Sequence, residues 1–405
     1  MTGQMTPRMV DVPDVAARIA AMADQLAARG ALTDPSWRGV LGEVPRHLFA
    51  PPVAWAAPED GPRYRIDARK DPVAWWEAVY EPGTAVLTQF DDGAASEGAA
   101  SRDPRVPTSS LSAPEIVVPF LELLHPFGGQ RVLDVGTGTG WTAGLLCERV
   151  GDAHVVSIDI DEGVAAQAAA NLHEAGFRPQ LRTGDAAVDL GEEQDFDLIH
   201  VTCGVTAVPY GWVERMRPGG AIAFPWMPDF SYGYRVRLDV LPDGTATGRL
   251  AGSAGYMMLR SQRRHRATPA KEWPAAVPEF AASTTRMDPR LLWHTPGGGL
   301  EAAMSGLVPG VRAALFHDSE PTGEATLWLL EACGPGGSWA SVDYAPGSKE
   351  FAVEQAGERR LWEEAEVAYV QWLRWGRPAL HRFGLTLTPQ GQHLWLDDPA
   401  TTVNP

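Results

Sequence analysis

Three glycines at alternate positions, Gly136, Gly138 and Gly140, constrain this 405-residue chain more than any other feature. They follow a short apolar run that ends in Val135, and a stretch typical of a helix comes after them. A strand, a glycine turn and a helix together bring backbone N–H groups close to a ligand at the N-terminus of the helix. Glycine is needed because a Cβ atom would block that approach or exclude the backbone angles. The segment therefore predicts a ligand-binding turn.

The spacing of the glycines separates two classes of cofactor. A dinucleotide fingerprint reads G-x-G-x-x-G, and it would need glycine where Trp141 and Ala143 stand. Residues 134–140 read D-x-G-x-G-x-G, which resembles motif I of class I S-adenosyl-L-methionine (SAM) methyltransferases. The alternative is an ordinary glycine-rich turn between a strand and a helix.

Further strands and acidic residues follow in the order that a SAM-binding domain has. Residues 154–158 predict a second strand ending at Asp159, where an acid can accept hydrogen bonds from two ribose hydroxyls. Asp161 can cap the next helix, and residues 180–182 and 196–201 predict two more strands. Repeated βα units predict an α/β fold, a Rossmann-like doubly wound sheet.

The remaining chain predicts four regions. These are an N-terminal helical region (1–50), an expanded link or lid (51–107), a SAM-dependent methyltransferase domain (108–266) and an appended C-terminal α+β domain (267–405). Asp11 can cap the first helix, and residues 235–240 and 255–259 predict the last antiparallel strands of the main sheet. In the C-terminal region, residues 358–375 predict an amphipathic helix and 385–396 a hairpin, and its many tryptophans suit peptide recognition.

Composition limits the partners. A net charge of −17 opposes broad nucleic-acid binding and docking on anionic membranes. The three cysteines are far apart and form no zinc-binding spacing, so we expect no metal and no disulfide framework. The sequence shows neither the basic and then apolar pattern of a secretory signal peptide nor an apolar run of about 18 residues that could span a membrane. We expect a cytoplasmic enzyme.

Two motifs resemble protein-L-isoaspartate O-methyltransferases. Residues 44–49 read V-P-R-H-L-F, and residues 108–114 read T-S-S-L-S-A-P, similar to the active-site signature of that family. Ser110 falls on the family's threonine and Ser112 on its serine, which the resemblance places beside the methyl-transfer site. Ser112 is therefore the catalytic candidate, with Ser110 beside it. The alternative role for Ser112 is to cap the helix that follows.

The resemblance also implies the remaining site residues. The cofactor contacts that it implies are Asp134, Gly136, Thr137, Gly138, Gly140, Asp159, Ile160, Gly184, Asp185, Ala186 and Thr202. The substrate contacts that we expect are Arg46, His47, Ser109, Cys203, Val205, Arg260, Arg263 and Arg264. Alternatives remain for several of them. Arg46 and His47 could bridge the helices to the catalytic domain, Cys203 could be a packing residue, and the arginines could be a solvated strand end.

The expanded link and the C-terminal region resemble divergent members from pathways that make graspetides, lanthipeptides or lasso peptides. The resemblance implies methylation of one aspartate in a ribosomally made precursor, after which the ester closes to an aspartimide. An aspartate has a pKa of about 3.9, so it attacks a methyl donor without a strong base. The alternatives are a general isoaspartyl repair enzyme, a methyltransferase for a small natural product and a non-catalytic peptide-binding protein.

Overall fold

The computed structural model describes residues 14–93, 106–191, 195–230, 232–263, 269–293, 297–318 and 322–403, without the side chains of residues 269 and 270. Three expectations fall outside these ranges. They are the predicted helix cap Asp11, part of the expanded link (residues 94–105), and Arg264.

The N-terminal helix has the predicted face. Helix α1 (Val15–Ala28) buries Ile19, Met22 and Leu26, which are part of the expected apolar stripe. Its cap is Asp14, whose carboxylate accepts a hydrogen bond from the backbone of Ala17, so the helix begins after the predicted Asp11. Helix α2 (Ser36–Glu43) follows and packs on α1.

The segment expected to be a link forms a small sheet. Its elements are β1 (Val53–Pro58), β2 (Tyr64–Asp67), α3 (Pro72–Tyr80), β3 (Thr84–Phe90) and β4 (Pro107–Leu111). The strands are antiparallel in the order β2-β1-β3-β4. The predicted boundary at residue 107 is wrong, because β4 carries the T-S-S-L residues and belongs to this sheet. The prolines and glycines that suggested a link lie largely at its turns and strand ends.

The central sheet confirms the doubly wound prediction. It contains β5 (Val132–Val135), β6 (Val155–Asp159), β7 (Gln180–Thr183), β8 (Phe196–Val201) and β9 (Met216–Trp226), which are parallel in the order β7-β6-β5-β8-β9. The helices among them are α4 (Pro114–Leu124), α5 (Trp141–Val150), α6 (Glu162–Glu174) and the short α7 (Gly211–Glu214). Buried Leu133, Ile199 and Phe224 belong to the core of this sheet.

Two antiparallel strands continue the sheet beyond β9. They are β10 (Tyr234–Val240), close to prediction, and β11 (Ala246–Ser253). The strand predicted at residues 255–259 is wrong, because this segment makes only one isolated bridge, between Gly204 and Met258. That segment instead follows the edge of the cleft described below.

A second sheet forms most of the C-terminal region. Its strands are β12 (Ala281–Thr285), β13 (Val311–His317), β14 (Ala325–Glu331), β15 (Trp339–Tyr344) and β16 (Phe351–Ala356), in the order β12-β16-β15-β14-β13. Helices α8 (Pro269–Ala276), α9 (Gly299–Leu307) and α10 (Leu361–Arg374) accompany it. Helix α10 has the predicted apolar face, since Leu361, Ala365, Ala368 and Trp372 are buried.

The final hairpin does not belong to this second sheet. Strands β17 (Phe383–Thr388) and β18 (Gly391–Leu396) form the predicted hairpin, but β17 pairs with β11 and completes a nine-stranded main sheet within the described residues. The hairpin covers an edge of β11 that would otherwise present unpaired backbone groups. The sequence predicts a separate C-terminal unit of residues 267–405, but the final hairpin of that region belongs to the main sheet. No helix in the described part of the chain is long and apolar enough to cross a membrane.

The hairpin should stabilise the methyltransferase sheet. Leu385 is 1% exposed in the shared core, and Leu385→Ala should lower the free energy of unfolding by about 2–5 kcal/mol, as buried leucine truncations do. Urea unfolding measures the change. Leu241→Ala, at a leucine that is 39% exposed in the turn after β10, should change it by less than about 0.5 kcal/mol. Equal small effects would mean that the hairpin contributes little.

Candidate functional site

A cleft opens at the carboxyl ends of the parallel strands, where ligands bind in doubly wound folds. It encloses about 910 Å³ of empty space and lies between the glycine turn after β5, the ends of β6, β7 and β8, and strand β4. Of the expected cofactor contacts, nine line it: Gly136, Thr137, Gly138, Asp159, Ile160, Gly184, Asp185, Ala186 and Thr202. Of the expected catalytic and substrate contacts, six line it: Ser109, Ser110, Ser112, Cys203, Arg260 and Arg263.

The glycine turn leaves no room for side chains. Gly136 has a φ of +91°, and a Cβ atom there would lie 2.5 Å from Oγ1 of Thr202 and 2.7 Å from Sγ of Cys203. Gly138 has a φ of +55° and would place a Cβ atom 3.2 Å from the backbone oxygen of Ser110. The turn therefore stays close to β4 on one side and to the end of β8 on the other.

Asp134 supports this turn from below. It is fully buried, outside the lining of the cleft, and accepts hydrogen bonds from Oγ of Ser157 at 2.8 Å and, in one tautomer, from Nδ1 of His200 at 3.0 Å. Ser157 in turn shares a 2.7 Å hydrogen bond with the hydroxyl of Thr137 in the turn. The expectation that Asp134 contacts the cofactor is therefore corrected, because its carboxylate is used within the protein.

Gly140 also lies outside the cleft. Its φ is +93°, and a Cβ atom would lie 3.1 Å from the side chain of Leu172 on α6. This glycine allows α5 to begin and to pack closely against α6. The expected direct cofactor contact is corrected to a packing role.

Asp159 lies at the end of β6, on the edge of the cleft. Its carboxylate accepts backbone hydrogen bonds from Gly138 at 2.9 Å and from Asp161 at 3.0 Å. Burial raises the pKa of Asp159 despite these two hydrogen bonds. Ile160 beside it is 37% exposed and offers an apolar surface. The pair fits a ribose with an adjoining flat base, which is the cofactor role that the sequence predicts for them.

Asp161 is the helix cap that the sequence predicts. Its Oδ1 accepts from the backbone of Val164, and its Oδ2 accepts from Gln89 at 3.0 Å and from Arg260 at 3.2 Å. Burial opposes the charged form of Asp161, but these hydrogen bonds and the charge of Arg260 outweigh it and lower its pKa. The helix that follows β6 is thus connected to strand β3 and to the opposite edge of the cleft.

The serines of β4 face the glycine turn. Helix α4 begins after Ala113 with no side-chain cap, so the alternative role of Ser112 as a cap is not realised. In the part of the chain that the structure describes, no hydrogen bond from the hydroxyl of Ser112 to a protein group is present. Ser109 is 7% exposed and its Oγ is buried without a partner among the described residues.

Arg46 is not at the cleft surface. It is 1% exposed, and its guanidinium donates hydrogen bonds to the backbone oxygens of Val79 at 2.7 Å and Ser112 at 2.6 Å, and to those of Thr84 and Leu111 at 3.2 and 3.3 Å. Burial lowers the pKa of Arg46 to about 9, which leaves it charged at neutral pH. The expected substrate contact is corrected, because the guanidinium of Arg46 bonds to the backbone of residues 109–112, which we call the serine segment, on the side away from the cleft.

Of two further expected substrate contacts, that of His47 stays a prediction and that of Val205 is corrected. His47 lines a neighbouring cavity that shares Ser109 and Gly138 with the cleft. Its Nδ1 lies 2.8 Å from the hydroxyl of Tyr80, and burial lowers its pKa, so it is neutral at neutral pH. Val205 is fully buried in the core. Cys203 does line the cleft, and burial raises the pKa of its thiol to about 12, which opposes a nucleophilic role.

The two described arginines lie at the mouth of the cleft, in ion pairs. Asp92 accepts from Arg260 at 3.0 Å and from Arg263 at 2.7 Å. The expected free basic patch is therefore neutralised in part by an acid from the end of β3. The same ion pairs connect the small sheet to the edge of the cleft.

Tyr256 is a residue that the sequence analysis missed. It lines the cleft, burial raises the pKa of its hydroxyl, and that hydroxyl has no partner among the described residues. Nε of Arg260 is also buried without a described partner. With Ser109, three residues of the cleft lining thus each have a buried polar atom that no group in the described ranges satisfies, which is costly unless a ligand pairs with it. No local pattern marks Tyr256, because it lies in an irregular segment.

The geometry fits SAM. The turn is a cradle that a single Cβ atom would fill, Asp159 suits two ribose hydroxyls, and an apolar surface adjoins it. A doubly wound sheet with this cleft defines a SAM-dependent methyltransferase.

Comparisons with known proteins agree. The family model of protein-L-isoaspartate (D-aspartate) O-methyltransferase matches residues 98–242. Protein-L-isoaspartate O-methyltransferases of Opitutus terrae and Anaeromyxobacter sp. are each 31% identical, over 51% and 49% of this chain and 72% and 76% of their own. The chain belongs to the protein-L-isoaspartate O-methyltransferase family and is a SAM-dependent carboxyl O-methyltransferase.

A solved structure titled protein-L-isoaspartate O-methyltransferase has the same fold, with a TM-score of 0.51 at 19% identity. The likeness covers 94% of this chain and all of that one, so it extends into the C-terminal region.

We expect SAM binding to depend on Asp159. Asp159→Ala should weaken the affinity by at least about tenfold, because two charge-assisted hydrogen bonds are worth more than 1.4 kcal/mol. In the unaltered protein, the affinity should fall as the pH drops through the raised pKa of Asp159, at higher pH than an ordinary aspartate would give. Calorimetry measures both effects. Asp60→Ala, at an exposed turn, is the control, and an unchanged affinity in Asp159→Ala would refute the assignment.

Proposed function

We propose that the acceptor is the side-chain carboxylate of an aspartate in a ribosomally synthesised modified peptide, and that the resulting methyl ester cyclises to an aspartimide. The observation that supports a carboxylate acceptor is that three residues lining the cleft, Ser109, Tyr256 and Arg260, each have a buried polar atom without a partner among the described residues. A serine hydroxyl, a phenol and a guanidinium N–H are all donors to an anionic oxygen.

These residues act on the acceptor by position and by charge. SAM supplies an electrophilic methyl group on a sulfonium sulfur. The carboxylate is ionised at neutral pH, since an aspartate has a pKa of about 3.9, so the protein needs no base to activate it. The hydroxyls of Ser110 and Ser112 donate hydrogen bonds that orient one oxygen of the acceptor carboxylate. The positive charge of Arg260 stabilises the negative charge of that carboxylate in the cleft. Orientation and removal of water are then the main contributions to rate.

The second step needs no further reactant. The ester is a better electrophile than the carboxylate, and the backbone nitrogen of the next residue attacks its carbonyl carbon. A C–N bond forms, the C–O bond to the methoxy group breaks, and the proton of the N–H leaves with it as methanol. At the mouth of the cleft, Asp92 pairs with Arg260 and Arg263, so the positive charge offered to an acceptor carboxylate there is held in place by the small sheet.

The second candidate is repair of isoaspartyl residues in proteins. The observation that favours it is the set of relatives, which carry the name protein-L-isoaspartate O-methyltransferase. Both candidates use the same cofactor and the same chemistry. They differ in whether the acceptor carboxylate belongs to an aspartate in a cyclised peptide or to an isoaspartate in a linear one.

One assay separates the two. The protein is incubated with SAM and, in parallel, with a macrocyclic peptide that presents an aspartate in its loop, the linear form of that peptide, and a linear isoaspartyl peptide. The proposal predicts that only the macrocycle gains a methyl ester and then loses methanol. Mass spectrometry measures both changes. Comparable turnover of the isoaspartyl peptide would favour repair, and no turnover of the macrocycle would contradict the proposal.

The serine segment gives a second test. Ser112→Ala should lower kcat/KM for the accepted peptide by about tenfold, the effect of one lost hydrogen bond of roughly 1.4 kcal/mol. Its affinity for SAM should not change, because the hydroxyl is expected to contact the acceptor. Ser348→Ala, at an exposed turn of the second sheet, is the matched control. Unchanged kcat/KM in Ser112→Ala would exclude a role in orienting the acceptor.

A further inference from the structure

A second cavity lies between the two sheets, outside the SAM cleft. It is open to solvent and has about 1700 Å³ of space, counted with the solvent at its mouth, between the loop that follows β9 and the outer side of β13. We call it the β13 groove. Its lining is largely apolar and aromatic and includes Met227, Phe230, Tyr232, Trp293, Leu315 and Phe316. Neither the predicted site residues nor the proposed chemistry uses it.

The groove runs along the edge of β13. Five consecutive residues, 312–316, line it. Because successive side chains of a strand point to opposite faces of the sheet, a cavity that touches five in a row extends along the edge of the strand. Among the described strands, β13 pairs only with β14, so its other edge is not covered by a strand.

The register shows which backbone groups face the groove. Hydrogen bonds join Asp318 to Glu324 and Ala332 to Gly310, directly opposite residues at the two ends of the β13–β14 pair. In an antiparallel pair, hydrogen-bonded and non-hydrogen-bonded positions alternate. The even-numbered residues of β13 therefore bond to β14. The N–H and C=O groups of Ala313 and Leu315 point away from it, along the groove.

The side chains of the groove suit a peptide. Tyr232 is 83% exposed and Phe316 is 45% exposed, although both are large and apolar. Oε2 of Glu301 is buried without a partner among the described residues, and it can accept a hydrogen bond from an incoming N–H group. An extended chain would satisfy the open backbone edge, the aromatic surface and this carboxylate together. This is the pattern of recognition by strand addition.

The groove adjoins the SAM cleft. Met227 lines the groove and Met258 lines the cleft. A Cβ atom at Gly204 would lie 2.2 Å from Sδ of Met227 and 3.0 Å from Sδ of Met258, so the two methionines both pack against one glycine. The backbone N–H of Tyr256, a cleft residue, also points to Sδ of Met227 at 3.4 Å. One layer of adaptable methionine side chains thus separates the two cavities.

We propose that a segment of the acceptor peptide, remote from the residue that is methylated, binds in the β13 groove as an added strand. The proposal rests on the proposed function, since it assumes a peptide acceptor. The backbone of the segment pairs with Ala313 and Leu315, and its apolar side chains lie on Tyr232 and Phe316. A single chain fits better than the edge of another folded copy, because a second copy would bring its own neighbouring strand into a groove that Met227, Phe230 and Tyr232 bound on the other side.

The test compares two acceptor peptides. One is a short core that the enzyme methylates, either the macrocycle or the isoaspartyl peptide. The other is the same core extended on each side by alternating valine and threonine, about six residues, the length of a typical strand. The extension should raise kcat/KM by about tenfold or more, which corresponds to 1.4 kcal/mol of added binding. It should also slow hydrogen exchange at the amides of Ala313 and Leu315 when S-adenosylhomocysteine is present.

Two variants should remove this gain and leave turnover of the short core unchanged. Ala313→Pro removes one outward N–H group without breaking the ladder to β14, and Tyr232→Ser removes an exposed aromatic surface. Ala281→Pro, at the first position of the opposite edge strand β12, is the matched control and should keep the gain. Tyr232→Ser is informative even if Ala313→Pro does not fold, because Tyr232 is almost fully exposed.

The outcomes distinguish this inference from the proposed function. If the short core is methylated but the extension brings neither higher kcat/KM nor amide protection, the groove proposal is wrong and the function stands. If the extended peptide protects both amides but no peptide is methylated, the groove proposal stands and the function fails. Protection that rises with protein concentration in the absence of peptide would assign the groove to a second copy and overturn the proposal.

Discussion

One buried guanidinium connects the parts of this enzyme that the chain order keeps apart. Arg46 donates hydrogen bonds to four backbone oxygens, from the end of α3, the start of β3 and the end of β4, and it lies 4.7 Å above the ring of Trp141 at the start of α5. A buried charge without a carboxylate partner is stable only when its donors are satisfied. The small sheet, the serine segment and the SAM-binding helix are therefore held in one arrangement.

A second buried network supports the cofactor side. Asp134 connects the hydroxyl of Ser157 with His200, and Ser157 reaches Thr137 in the glycine turn. These groups connect β5, β6 and β8 to the glycine turn. In the cleft above, Ser109, Tyr256 and Arg260 each have a buried polar atom without a described partner. The network below the turn is not fully satisfied either, because Nε2 of His200 is buried without a partner among the described residues.

Predictions from local pattern succeeded where a few neighbouring residues carry the constraint. The doubly wound sheet and the apolar face of α10 belong to this group. Predictions of contact failed where the side chain is long or its partner is distant in the sequence. Arg46 was expected at the substrate and is buried behind it, and Val205 was expected in the cleft and lies in the core. Composition also misled, because a segment rich in proline and glycine forms the four-stranded small sheet.

By itself, the sequence determined the strand, the glycine turn and the acid at the end of β6, because positive φ values and close backbone approach leave few alternatives to glycine. It thereby determined the SAM-binding class. Only the tertiary structure decided which polar atoms meet across the cleft, that the final hairpin completes the main sheet, and that β13 keeps an open edge beside a groove. The first two features depend on contacts between segments more than a hundred residues apart, for which burial of the shared core, and no local pattern, selects the partner.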